Sequence, residues 1–116
     1  MALTRRLRAW FDQLARRPTF RSVQRVDEMS DVPDALRHDE VVVVGGQEPK
    51  WAVFRCPCAR GHRVVLDLHR SHRPHWRLDT DRAGRPSIQP SVDVQGDTRC
   101  HFLVHDGFVV WVRDYG

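Results

Sequence analysis

A chain of 116 residues, 41% hydrophobic and 29% charged, is long enough for one domain with its own core and too short for two. Its formal charge is +4 with Lys50 as the single lysine, so the cationic surface is arginine, which suits an acidic protein partner or nucleic acid. No window approaches the roughly eighteen apolar residues of a membrane helix, and "MALTRRLRAWFDQLARR" lacks the apolar run of a secretory signal; both point to a cytoplasmic protein with reduced thiols.

Residues 3–16 have helical period: Leu3, Leu7, Trp10, Phe11 and Leu14 recur at steps of three and four, arginines take the other sides, and Pro18 ends the pattern. The polar passage "VDEMSDVPDALRHDE" leaves room for a helical turn after Pro33. From residue 40 the period becomes that of a strand. "EVVVVGG", "WAVFRC", "HRVVLDLHR" and "HWRLDT" follow one another between turn signals. "PSIQPSVDV" carries two prolines and reads as an edge strand or an irregular crossing. "CHFLVHDGFVVWV" is a hairpin around Asp106-Gly107. The predicted class is α+β: a small, mainly antiparallel β domain with a zinc-ribbon-like turn and an N-terminal amphipathic helix. Residues 1–24 form the helix and linker, and residues 25–116 the metal-binding β domain.

The stretch "RCPCARGHR" carries the first chemistry. Cys56 and Cys58 are too close in sequence for an unstrained mutual disulfide, and Pro57 and Gly61 shape a turn around them. Cys100 and His101 open the last hairpin. Three thiols and an imidazole make a tetrahedral Cys₃His set for a structural zinc, with Cys56, Cys58, Cys100 and His101 as ligands. Because neighbours in a regular strand point to opposite faces, Cys100 and His101 can both ligate only where the backbone bends. His62 is the alternative fourth ligand, and His105 a further candidate.

The order of motifs resembles a family of small bacterial β domains. Its members carry an acidic-proline preamble, a Cys-Pro-Cys-Gly-Cys-Gly-like turn, a Trp-x-Leu strand, a Pro-Ser-Ile/Val motif and a terminal Cys/Ser-His-Phe hairpin. The counterparts here are "VDEMSDVPD", "CPCARGH", "HWRL", "QPSV", "RCHF" and "HDGFVVW", covering roughly residues 25 to 112. Arg60 stands where a third cysteine is often found. The resemblance implies a zinc-binding β domain. Some members are encoded beside ubiquitin-like proteins and their activating and conjugating enzymes, which implies a protein partner of that kind and a place in a conjugation or defence system.

Two further readings remain open. Ser91 is a candidate nucleophile with His101 or His105 as its base and Asp93 or Asp106 to orient that base, a grouping suited to acyl transfer and, in the setting the resemblance implies, to a deconjugating peptidase. Ser91 lacks the glycine-flanked elbow of many hydrolases. "HRSHRPHWR", residues 69–77, interleaves arginine and histidine with Trp76, as a nucleic-acid surface does. The reading preferred on sequence is a zinc-stabilised adaptor of a ubiquitin-like conjugation system, with the Ser91 peptidase and the nucleic-acid module as alternatives.

Overall fold

The computed structural model describes residues 17–96 and 99–113. They form eight strands: β1 (Ser22–Val26), β2 (Glu40–Val44), β3 (Trp51–Arg55), β4 (Arg63–Asp67), β5 (Arg77–Thr80), β6 (Pro86–Val94), β7 (Cys100–His105) and β8 (Phe108–Trp111). These make two four-stranded sheets, ordered β1-β2-β3-β4 and β5-β6-β7-β8. Neighbours are antiparallel, except that β1 runs parallel to β2.

The α+β expectation is therefore corrected. Among the described residues there is no α-helix, and the only helical piece is a three-residue 3-10 turn, Met29–Asp31. The helical period belongs to residues 3–16, which lie outside the described residues; the described residues that follow are strands joined by turns and loops. The turn expected after Pro33 falls before it, where the Glu28 amide donates to the Asp31 carboxylate at 3.1 Å. The division expected between residues 24 and 25 passes through β1.

The two sheets pack face to face. Val41, Val43, Ala52, Phe54, Val64 and Leu66 of the first sheet meet Ile88, Val92, Phe102 and Val104 of the second in one buried cluster. Phe54 sits at its centre, edge-on to Phe20 at 5.3 Å and to Phe102 at 6.3 Å. Strand β2 does not alternate, since Val41 through Val44 are all buried. The reason is that the β1–β2 connection lays Val32 and Leu36 over the sheet's outer face, where they meet Val42, Val44 and Val53. A strand covered on both sides needs an unbroken apolar run.

The proline-bearing strand β6 is central, between β5 and β7, and not at an edge. Both prolines escape the ladder: Pro86 is the first residue of the strand, and Pro90 lies in the irregularity where the pairing register shifts between Ile88 and Val92. That bulge precedes Ser91 directly. The final hairpin turns at Asp106 and Gly107, with φ of 48° and 83°. Gly107 is required there, because a Cβ would run into the Phe20 carbonyl oxygen.

Candidate active site and metal centre

The turn after β3 is closed by the Cys56 amide donating to the His62 carbonyl at 2.7 Å and the Gly61 amide donating to the Cys58 carbonyl at 3.1 Å. Gly61 adopts φ 60°, which turns the chain so that His62 comes back beside the two cysteines. Cys100, at the start of β7, reaches the same point from the opposite sheet. The ligand atoms of Cys56, Cys58, His62 and Cys100 all lie within 4.8 Å of one another. This cluster could hold a metal ion, and it would join the two sheets at one end of the core.

The donor set fits zinc in number, softness and spacing. Cys58 Sγ lies 3.5 Å from His62 Nδ1; a tetrahedral ion with a Zn–S bond near 2.3 Å and a Zn–N bond near 2.05 Å needs an edge of about 3.6 Å. His62 Nε2 is buried with no hydrogen-bond partner among the described residues, so the ring's polar engagement is with the sulfur cluster. Burial pushes the Cys56 thiol up to about 12. For Cys58 burial also opposes ionisation, but hydrogen bonds from the Gly61 amide, the Cys56 thiol and the Arg60 amide outweigh it and hold the thiol at about 6. Cys100 is raised, by burial first and then by the neighbouring Cys58. One thiolate supported by its neighbours is the charge pattern that a cation completes. Residue 60 is not needed for four donors: Arg60 is exposed on the turn.

His101, expected as the fourth ligand, is turned away from the cluster. Cys100 is buried in the core, and the next side chain along β7 leaves by the other face of the sheet. There the Ser91 hydroxyl lies 2.8 Å from His101 Nε2. The pairing of β6 with β7 accounts for this contact. Val92 pairs with Phe102 and Asp93 with His101, so Ser91, two residues before Asp93, lies on the same face as His101 and diagonal to it. Both partners are half-buried.

Asp93 stands opposite His101 in register, yet its two oxygens accept from Arg99, at 3.0 Å from Nε and 2.7 Å from Nη2. Arg99 holds the Asp93 carboxyl below its usual range, and the charge of His101 lowers it further. The other candidate pair lies elsewhere. His105 contacts Asp106 at 3.3 Å, and Asp106 is engaged by Ser87, whose hydroxyl accepts from the Asp106 amide at 2.8 Å.

The stretch 69–77 does not present a free row of base-stacking and phosphate-binding groups. Trp76 packs against the core, and its indole N–H donates to the Ser91 carbonyl at 3.3 Å. His69 and His72 both turn to Asp67, a cluster that sequence reasoning missed although the Asp-x-His-x-x-His spacing across a turn was legible. A groove of about 930 Å³ lined by Arg25, Lys50, Leu68, Trp76 and Arg77 opens beside this stretch; Ser91 and His101 do not line it, and Trp76 links the two places through its bond to Ser91.

The fold and site thus define a small two-sheet β domain that carries a Cys₃His cluster inside and a serine–histidine pair outside. Residues 28–112 match the family described as the bacterial ubiquitination-like system serine protease (BubE), and the chain belongs to that family. It is a component of a bacterial ubiquitination-like system, which points to protein partners. No curated protein and no solved structure matches the chain. No helix among the described residues is long and apolar enough to cross a membrane.

Proposed function

We propose that the chain is a serine peptidase that cleaves the acyl bond at the end of a ubiquitin-like protein, with Ser91 as nucleophile and His101 as general base. The observation that carries this reading is the 2.8 Å contact between Ser91 Oγ and His101 Nε2. That is the distance over which an imidazole takes a hydroxyl proton as the oxygen attacks a carbonyl. The same ring then returns the proton to the leaving amine, and a water molecule repeats the cycle on the acyl-serine. Asp93 is in register opposite His101 and fixed by Arg99, so its negative charge favours the imidazolium formed during attack without itself taking the proton. The family's printed description, a serine protease, supports the same reading.

A structural zinc held by Cys56, Cys58, His62 and Cys100 is part of the proposal. When bound it supplies a rigid link between the sheets; the residues that carry the reaction lie on the other face. The peptidase reading is preferred to the adaptor because an adaptor gives no reason for a half-buried serine hydroxyl 2.8 Å from a histidine nitrogen. It is preferred to the nucleic-acid module because Trp76 and the neighbouring histidines are engaged within the fold. A fluorophosphonate probe tests it directly. Labelling confined to the peptide containing Ser91, and lost in His101→Ala, supports the dyad; an unlabelled Ser91 in folded protein refutes it.

A further inference from the structure

A second ligand cluster lies outside both sites. At the end of β4, Asp67 Oδ1 is 2.7 Å from His69 Nδ1, and Asp67 Oδ2 is 2.7 Å from His72 Nδ1. The two imidazoles are stacked with centroids 4.3 Å apart, and Trp51 braces His69 edge-on at 5.1 Å. The backbone carrying them is tied down. The His69 amide donates to Asp67 Oδ1 at 2.8 Å, His72 to the His69 carbonyl at 3.1 Å, Leu68 to the Lys50 carbonyl at 2.9 Å, and Trp76 to the Asp67 carbonyl at 2.8 Å. The three side chains are therefore positioned before any ligand arrives.

We infer that Asp67, His69 and His72 form a surface site for a divalent first-row transition cation, separate from the cysteine cluster. The chemistry is two imidazole nitrogens and one carboxylate from a single short segment, with ligand atoms within 4.8 Å of one another and room left for water. The two 2.7 Å contacts run to different oxygens of Asp67, so an ion with bonds near 2.1 Å, whose ligand edges are about 3 Å, would be met by both carboxylate oxygens or by one after a small turn of the side chain. Without an ion each Nδ1–H donates to Asp67; a bound ion would take the place of those two protons, each neutral ring then carrying its proton on Nε2. Nitrogen and oxygen donors without sulfur favour nickel, cobalt or zinc, and exposure of His72 makes the ion exchangeable, unlike one held by the cysteines.

The test uses the whole chain with its cysteine cluster already loaded with zinc, titrated with cobalt(II). One further equivalent is expected, with weak visible bands, no thiolate-to-cobalt charge transfer, and paramagnetic broadening of the His69 and His72 ring signals. His72 is half exposed, so His72→Ala should fold normally and weaken this binding about tenfold or more, as loss of even an outer partner commonly does. His69→Gln should act likewise. Cobalt that enters only the cysteine cluster, or an extra equivalent untouched by both substitutions, overturns the proposal.

Discussion

Cys100 and His101 are consecutive residues of β7 that serve opposite faces of one sheet. The thiol points into the core toward Cys56, Cys58 and His62, and the imidazole points out to Ser91. The strand's two-residue period thus separates the cysteine–histidine cluster from the serine–histidine pair by one peptide bond. It also resolves a conflict in the sequence, where His101 was claimed both as ligand and as base.

This separation makes the metal content a sharp test. Protein purified without chelator or affinity metal is expected to hold one zinc per chain by elemental analysis. Cys58→Ser or His62→Ala should lose it and cost about 3 kcal/mol, roughly 12 °C or more in Tm for a domain of this size. His101→Ala should keep the zinc. If His101→Ala loses it while His62→Ala does not, the assignment of the two histidines is reversed.

Catalysis should respond in the opposite way. Ser91→Ala and His101→Ala are each expected to lower cleavage of ubiquitin-like conjugates by at least ~10³-fold, with zinc content and Tm retained. The double substitution should be hardly worse than either single one, because the pair acts as a unit. Undiminished cleavage by Ser91→Ala would refute Ser91 as the nucleophile, and no cleavage by the unaltered chain would leave it an interaction module.

In metal-free protein the three thiols should differ in reactivity toward iodoacetamide. Cys58, held at about 6, becomes thiolate as pH rises through that value, so its alkylation should climb between about pH 5 and 7. Cys56, pushed up to about 12, and Cys100, also raised, should stay largely unmodified over that window. Mass spectrometry of the peptides reads this out, and zinc should protect all three. Equal alkylation of the three at pH 7 would count against a shared thiolate.

Stability should depend most on the aromatic centre between the sheets. Phe54 is fully buried and touches Phe20 and Phe102 edge-on. Phe54→Ala is expected to cost roughly 3–5 kcal/mol by chemical denaturation. A loss below about 1 kcal/mol would mean the two sheets do not depend on this contact.

Much of the architecture was legible along the chain. Turn signals and period-two alternation marked the strand regions from residue 40 onward, Asp106-Gly107 marked the last hairpin, and the odd cysteine spacing marked a cluster other than a disulfide. The paired candidates Ser91 and His101 were named from motif order. The position of β6 was misread, since prolines signal an edge unless a bulge takes them out of the ladder, and a bulge is a relation between two strands. The α+β class followed from the helical period of residues 3–16, which lie outside the described residues; the described ones are nearly all β.

The amino-acid order by itself determined which chemical groups were available: three thiols, histidines near them, a serine after a proline, and strand-forming runs to carry them. Only the tertiary structure decided which histidine goes with which partner. His62 joins the sulfurs because a left-handed glycine turns the chain back on itself, and His101 meets Ser91 because the pairing of β6 with β7 puts them on one face. Local sequence sets which conformations a residue can adopt. Which distant side chain lies 3 Å away depends on how two sheets pack, and that is a property of the whole chain.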